Sequence, residues 1–189
     1  MTREAFLACW EQIPELKHAE LIDGLVHVPL PIGRLQSRLD CHIVTLLTRY
    51  ADHTPGCTSG HNATWLMLES SPQPNAFLGR NVVPQGEFCA EAPELAVEVC
   101  ETNTEVDFGP KLALYQRAGV QEYITIETLL PKIIWRQLVN GSYQAIQPDA
   151  DGIYRSPEFP GLWLDSAALW ADDGLRLTAT LQAGIASRA

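Results

Sequence analysis

The spacing of hydrophobic residues predicts three helices in the first two thirds of the chain. The clearest covers residues 35–50, where apolar residues recur every three to four positions, as in an amphipathic helix. These apolar residues are Leu39, Ile43, Leu46, Leu47 and Tyr50. A shorter helix is predicted over residues 2–12, with Thr2 in the capping position. A third helix is predicted to end at Gly119, with apolar positions at Phe108, Leu112, Tyr115 and Ala118.

Two hairpins are predicted from β-rich runs that flank turn-forming dipeptides. Asp-Gly at residues 23–24 and Asn-Gly at residues 140–141 each separate two such runs. These dipeptides are the strongest short-range signals for a β-hairpin. The sequence therefore predicts one hairpin over residues 19–28 and another over residues 132–146.

Residues 95–100, Leu-Ala-Val-Glu-Val-Cys, form a nearly continuous apolar run. This pattern is typical of a central strand that is buried on both faces. A helix and another β-rich run at residues 122–127 follow it, so a β–α–β unit is predicted. Strands are also predicted at residues 64–68 and 76–78, whereas residues 79–94 lack periodicity and are predicted to form a loop. The elements together predict an α/β (α+β) fold.

The C-terminal segment from Asp165 onward shows short helical patterns. Its apolar residues are expected to cover a sheet edge or to contact a partner subunit, so a homodimer is expected. These residues are Leu175, Leu177, Leu181 and Ile185. With 189 residues, the chain is expected to form a single domain over residues 1–189, with a helical tail at residues 171–189.

Composition narrows the classes of function. No run of 18 apolar residues and no signal peptide is present in the sequence, so a cytoplasmic protein without membrane contact is expected. The five cysteines are widely spaced and lack a CxxC pair, which argues against a disulfide framework or a structural zinc site. The net charge of −10 argues against a broad DNA-binding surface, although it leaves a local basic groove possible.

One carboxylate stands out on physical grounds. Glu98 lies inside the apolar run, where a lone ionised side chain is costly to bury. A cation, a metal ion or a position at a wet strand end must compensate it. Lys111 follows early in the next helix and is a natural partner, although Asp107 could instead pair with it at i,i+4 spacing on the surface. Glu20, at the start of the first hairpin, fits either a site residue or an ordinary exposed strand residue.

Several ordered motifs match a known family. They are Glu-Leu-Ile-Asp-Gly at 20–24, Gln-Pro-Asn-Ala-Phe-Leu at 73–78, Pro-Glu-Leu-Ala-Val-Glu-Val at 93–99, Lys-Leu-Ala-Leu-Tyr at 111–115, Ala-Gly-Val-Gln-Glu-Tyr at 118–123 and Phe-Pro-Gly-Leu at 159–162. Over about residues 15–170 the chain resembles the Uma-type putative restriction endonuclease family of the PD-(D/E)xK nuclease superfamily. The resemblance implies a restriction-endonuclease-like fold, with a central mixed sheet flanked by helices.

The resemblance also implies a magnesium-dependent site for phosphodiester hydrolysis in DNA, in which Mn²⁺ could replace Mg²⁺. Glu98 and Asn75 would be metal ligands, and Val99 would offer its backbone carbonyl oxygen. Lys111 would be the lysine of the superfamily motif, moved from the strand into the following helix. Glu20 would be a helper carboxylate.

Two departures from the family pattern weaken this expectation. Pro74 is followed by Asn75 where the superfamily has aspartate, which removes one formal charge from a site for a hard cation. Residues 33–36 lack the histidine that relatives carry near that position. Mg²⁺ binding would then be weak or absent. The alternative hypothesis is a catalytically inactive family member that acts as a dimeric binding or scaffold module.

The remaining candidate residues are assigned to structural roles. His42, His53 and His61 lack metal-ligand spacing with the cysteines and are expected at the surface or in the core. The tryptophans at 135, 163 and 170 lie in apolar runs and are expected in the core or an interface rather than in a base-stacking platform. The sequence has no phosphate-binding P-loop, dinucleotide-binding motif or nucleophile elbow.

Overall fold

A six-stranded mixed sheet forms the centre of the computed structural model, which describes residues 1–13, 18–80, 82–101 and 104–188. The sheet has the strand order β11-β10-β9-β8-β5-β3. Its strands are β3 (Cys57–His61), β5 (Ala76–Arg80), β8 (Leu95–Cys100), β9 (Glu122–Glu127), β10 (Lys132–Val139) and β11 (Ser142–Ile146). The helices are α1 (Arg3–Gln12), α2 (Arg34–Asp52), α3 (Thr104–Phe108), α4 (Pro110–Ala118), α5 (Ser166–Trp170) and α6 (Gly174–Ala186).

Three smaller sheets surround the central one. They are the hairpin of β1 (Glu20–Ile22) and β2 (Leu25–His27), the pair of β12 (Ile153–Arg155) and β13 (Trp163–Asp165), and the three-stranded sheet of β4 (Trp65–Leu66), β6 (Pro84–Gln85) and β7 (Phe88–Ala90). No helix among the described residues is long and apolar enough to cross a membrane.

The predicted β–α–β unit forms the middle of the main sheet. β8 is buried along its whole length and pairs in parallel with β9, while α3 and α4 connect the two strands. Gly119 ends α4 with a φ of 84°, in the left-handed conformation that glycine adopts without steric cost. Both predicted hairpins are present, with the turns at the predicted Asp-Gly and Asn-Gly pairs. The mixed α+β fold predicted from the sequence is therefore confirmed.

The two faces of β8 meet different layers because successive side chains of a strand alternate between faces. Val97 and Val99 pack in the larger core with α2, α5 and α6. Ala96 packs on the opposite face with Leu114 and Tyr115 of α4. Glu98 lies two residues after Ala96, so the pleat of the strand turns it toward α4.

The region around residues 57–94 differs from the sequence-based expectation. Residues 79–94 are not a plain loop, because β6 and β7 lie there and pair with β4. The predicted strand at 64–68 is shorter than expected and lies outside the main sheet. β3 was missed, since its sequence Cys-Thr-Ser-Gly-His lacks the apolar residues that signal a strand. Asn81 lies outside the described residues.

The C-terminal helices belong to the core more than was expected. Leu177 and Leu181 of α6 are buried in the larger core, against α2 and β13. Leu175, by contrast, has 88% of its surface exposed. The tail thus covers α2 and the small β12–β13 sheet, and not an edge of the main sheet. Trp135 lies in the core, as predicted.

A buried carboxylate joins β9, β10 and the loop after β12. Glu122, fully buried, accepts hydrogen bonds from the indole Nε1–H of Trp135 at 2.8 Å and from the Glu158 backbone N–H at 2.8 Å. The Ser156 hydroxyl lies 2.8 Å from Oε1 and 3.0 Å from Oε2 of the same carboxylate. Every neighbour is a donor, so both oxygens are needed as acceptors.

We expect Glu122→Gln to destabilise the protein by about 1–3 kcal/mol, because the new amide N–H₂ must face at least one of these donors. Urea unfolding of the wild type and the variant measures the difference. Glu127→Gln, at the half-buried end of the same strand, is the matched control and is expected to have a small effect. Equal losses in the two variants would contradict the role assigned to Glu122.

Candidate functional site

The site is built where β8 and α4 face each other across one layer of the fold. Glu98 points from β8 toward α4, and Lys111 occupies the first turn of that helix, directly after Pro110. Pro110 suits the first helical position because its missing N–H has no partner there in any case. Lys111 is thereby placed over the middle of the most buried strand.

Lys111 is buried between three carboxylates. Its Nζ lies 2.9 Å from Oε1 of Glu98, 2.9 Å from Oε1 of Glu20 and 3.6 Å from Oδ1 of Asp107. Only 4% of the Lys111 side chain and 3% of the Glu98 side chain are exposed. The Tyr115 hydroxyl, one turn after Lys111, donates to Oε1 of Glu98 at 2.8 Å. The structure therefore brings together Glu98, Lys111 and Glu20, as the sequence predicted.

Glu20 and Asp107 reach the cluster from other elements. Glu20 starts β1, and its Oε1 also accepts the backbone N–H of Gln73 at 2.5 Å, which ties the hairpin to the segment before β5. Asp107 belongs to α3 and is buried. Its i,i+4 contact with Lys111 exists, but it lies inside the protein and not on the surface as the alternative interpretation had it.

The cluster carries more negative than positive charge. Three carboxylates and one ammonium leave two formal negative charges in a buried volume. Burial, with smaller contributions from the charges of Asp107 and Glu20, raises the pKa of Glu98 to about 8 against the opposing effect of Lys111. Burial disfavours the Lys111 ammonium, but the three carboxylates outweigh it and hold the Lys111 pKa well above its ordinary value. Lys111 is therefore a permanent cation.

Asn75 lies immediately before β5, beside the end of β8. Its Oδ1 accepts the backbone N–H of Val99 at 3.0 Å. In an amide side chain only the oxygen can accept from an N–H group, so this contact fixes the orientation of the Asn75 amide and leaves its N–H₂ group on the other arm. The Val99 carbonyl oxygen accepts from Nε2 of Gln36 at 2.8 Å. Both oxygens predicted to bind a metal thus have a protein donor, and their role as ligands stays a prediction.

A cavity of about 650 Å³ opens over the cluster. Glu20, Glu98, Asp107 and Lys111 form one part of its lining. Its other walls carry imidazole and amide groups together with an apolar arm. These residues are His18, His27, His61, Gln36, Asn62, Gln73 and Asn75, with residues 29–32 as the arm. Lys111 is the sole Lys or Arg among the described residues that line the cavity.

The carboxylate oxygens of the cluster are of the type that binds a hard cation, but they do not surround an empty position for one. Carboxylate oxygens are the ligands that Mg²⁺ and Ca²⁺ prefer. Within the described residues, however, no three His, Cys, Asp or Glu side chains form a group that could hold a metal ion as they stand. The reason is visible in the geometry, since the ammonium of Lys111 occupies the space between Glu20 and Glu98.

The Uma2 family model, described as "Putative restriction endonuclease", matches residues 4–167. The chain belongs to the Uma2 family. The match begins earlier than the predicted family core of about 15–170 and so includes α1. The resemblance inferred from the ordered motifs is confirmed.

A comparison of structures agrees with the family. The fold is similar to the crystal structure of "a putative nuclease belonging to DUF820" from Anabaena variabilis ATCC 29413, with a TM-score of 0.72. The sequences are 17% identical, and the similarity covers 91% of this chain and 98% of that one. None of the curated proteins matches the chain significantly. The restriction-endonuclease-like fold is thus shown.

Several residues of the site were not identified from the sequence of this Uma2 member. Asp107 was considered only as a surface partner, and Tyr115 only as an apolar helix position. His61 was assigned to a surface or core role but lines the cavity. Gln36 lies in the segment 33–36 that lacks the expected histidine, and its contact with the Val99 carbonyl shows that it faces β8. A polar residue on the first turn of α2 was the available signal for this last contact.

We expect Lys111→Met to destabilise the protein by about 3–5 kcal/mol near neutral pH, because it leaves buried carboxylates without their cation. Lys132→Met, at an exposed position, is the control and should change stability by less than about 0.5 kcal/mol. Urea unfolding measures both.

The deficit of Lys111→Met should shrink in acid. Without the ammonium, the folded-state pKa of Glu98 rises further above its unfolded value, so this carboxyl favours the folded state at low pH and disfavours it as the pH rises. A deficit that stays constant from acidic to neutral buffer would show that the carboxylates are not the cause.

Proposed function

We propose that the protein is a metal-dependent nuclease that hydrolyses phosphodiester bonds in DNA, with Mg²⁺ or Mn²⁺ as the cofactor. The observation that carries the proposal is the buried cluster of Lys111 with Glu98 and Glu20 at the cavity. A purely structural ion pair needs one carboxylate for one ammonium. Here three carboxylates surround one ammonium beside an open cavity, which is an arrangement that favours binding a further cation.

The charge of the cluster supports a divalent cation. Burial and the neighbouring carboxylates raise the pKa of Glu98 against the opposing effect of Lys111, and a divalent ion would lower it by stabilising the ionised form. Two added positive charges would balance the two formal negative charges that remain. The predicted ligands Glu98, Asn75 and the Val99 carbonyl, together with Glu20 and Asp107, are the groups that would hold the ion, and Lys111 would have to release at least one carboxylate. Occupancy therefore depends on competition between ammonium and metal.

The charge and hydrogen bonds of each residue in the cluster suggest its role in the proposed reaction. A bound divalent ion polarises the phosphate and lowers the pKa of an attacking water. Lys111, a permanent ammonium, cannot accept a proton and instead stabilises negative charge that develops on the phosphate oxygens. The Tyr115 hydroxyl holds Glu98 in place from the side of α4. Glu20 remains the helper carboxylate, fixed by the Gln73 backbone N–H.

DNA binding must depend on the cavity rather than on long-range attraction. The chain has a net charge of −10, and several arginines are already paired with carboxylates. These pairs are Arg38–Asp172, Arg80–Glu158, Arg117–Asp23, Arg155–Asp149 and Arg176–Asp165. A small number of phosphate contacts implies a weak dependence of affinity on salt concentration.

A second candidate is an inactive family member that acts as a dimeric binding module. The contacts of Asn75 and of the Val99 carbonyl favour it, because both groups are satisfied within the protein. Residues 25–35 also offer a surface for a second copy, since they expose six large apolar side chains in eleven residues. These are Leu25, Val26, Val28, Leu30, Ile32 and Leu35.

Substituting Glu98→Gln tests the proposed activity. The variant keeps the shape of the side chain but removes the charge that would hold the metal, so the Mg²⁺-dependent cleavage of plasmid and of linear DNA should fall at least about a hundredfold. Glu101→Gln, which also lines the cavity, is the control. Cleavage that survives in Glu98→Gln would show that the activity belongs to another site or to a contaminant.

Calorimetric titration with Mg²⁺ and with Mn²⁺ separates the two candidates. Asn75→Asp should bind either metal more tightly than the natural protein, by about tenfold or more, because it restores one formal charge. Binding by the natural protein at or below about millimolar concentration supports the nuclease. Binding seen only in Asn75→Asp supports the inactive module.

A further inference from the structure

A carboxylate–histidine pair, His61 with Asp40, lies at the cavity apart from the Lys111 cluster. Nε2 of His61 is 2.8 Å from Oδ2 of Asp40. Asp40 belongs to α2 and is only 8% exposed, whereas 46% of the His61 side chain is exposed, and His61 lines the cavity. The buried member of the pair thus holds a ring whose remaining surface is open to the cavity.

The pair lies beside the position at which this chain departs from the family pattern. His61 ends β3 and is paired with Ala76, the residue after Asn75. The backbone N–H of Asn62 also reaches the carbonyl oxygen of Asn75 at 3.4 Å. The strand pairing therefore places the imidazole next to the strand segment that carries Asn75.

A contribution to folding stability does not explain why a carboxylate is buried at position 40. Burial raises its pKa, while the hydrogen bond and charge of His61 lower it. Its second oxygen, Oδ1, is buried and has no hydrogen-bond partner among the described residues. A buried carboxylate with one unsatisfied oxygen costs free energy, and removing such a group often stabilises a protein. A buried group that is costly to keep suggests a role outside stability.

Among the described residues that line the cavity, no Lys or Arg other than Lys111 is available to an anionic substrate. Of the three imidazoles that line the cavity, His61 is the one with a carboxylate partner among the described residues. Because Asp40 engages Nε2, Nδ1 is the ring nitrogen left for a ligand, and it donates to an anion when the ring carries both protons.

We propose that His61 is a substrate-binding residue that donates from Nδ1 to a phosphate oxygen of the nucleic acid, and that Asp40 is its positioning residue. The inference rests on the proposed function for the class of ligand, a phosphodiester. It adds a contact on the β3 side of the cavity, apart from the Lys111 cluster.

The test measures the binding of a fluorescein-labelled single-stranded DNA oligonucleotide by anisotropy, with Ca²⁺ in place of Mg²⁺. His61→Ala should weaken binding about tenfold, the range expected for one charge-assisted hydrogen bond. His42→Ala is the matched control. His42 lies in α2, and its Nε2 is 2.5 Å from Oδ1 of Asp172, so it also pairs with a carboxylate, but it does not line this cavity. This variant should bind as the wild type does.

Asp40→Asn should weaken binding less than His61→Ala, since the ring stays but loses the charge that orients it. The ¹⁵N shifts of the His61 ring should show both ring nitrogens protonated in the DNA-bound wild type, and less of this form in Asp40→Asn. Stability to urea should be kept in both variants, which a merely structural role of the pair would not allow.

Each outcome is decisive. Wild-type affinity in His61→Ala, or no DNA binding by the wild type, overturns the inference. DNA binding that depends on His61 but without cleavage under Mg²⁺ or Mn²⁺ supports the inference while the proposed function fails. If His61→Ala cleaves DNA and binds it as well as the wild type does, the proposed nuclease function is supported and the role of His61 in substrate binding is contradicted.

Discussion

The contact between the Lys111 ammonium and the Glu98 carboxylate is the interaction on which the rest of the site depends. Glu98 is carried by the most buried strand of the sheet, where an uncompensated charge would be prohibitively costly. The helix that follows must therefore start close enough to deliver a cation, and Pro110 fixes that start. Glu20 joins the same ammonium and thereby draws the β1–β2 hairpin onto the sheet. One buried charge thus links three separate segments of the chain.

The same cluster lowers the stability of the fold because it contains more carboxylates than the one ammonium can neutralise. A single carboxylate would satisfy Lys111, yet Glu98, Glu20 and Asp107 all face it. Burial, together with the excess negative charge, raises the pKa of Glu98 and lowers the stability of the folded state. Sites that bind cations carry this kind of strain before the ion arrives, because the ligands must already be close together. This cost supports the proposal that the cluster has a function beyond a structural ion pair.

The sequence predicted the parts of the fold that local patterns determine, and it missed those that only the tertiary structure determines. Leu95–Cys100 was identified as a buried strand because its run is apolar, and its lone Glu98 pointed to a cation. Cys57–His61 was missed because its neighbours in the sheet, and not its own polarity, make it a strand. Asp107 and His61 were not identified as site residues for the same reason, because their positions at the cavity depend on partners in other elements, Lys111 and Asp40. The family motifs brought Glu20 into the site, which its local sequence alone did not.

Asn75 shows how little the fold reveals about activity. Its Oδ1 accepts the Val99 N–H, a contact that either oxygen of an aspartate would make equally well. The backbone of β5 and β8 therefore has no reason to differ between the two residues, and only the second arm of the side chain changes from an acceptor to a donor. A close structural relative can thus share the whole framework of the site while differing in whether it holds a metal ion. Fold similarity at a TM-score of 0.72 is consistent with either state, so the chemistry must be decided at this one atom and at the cavity groups around it.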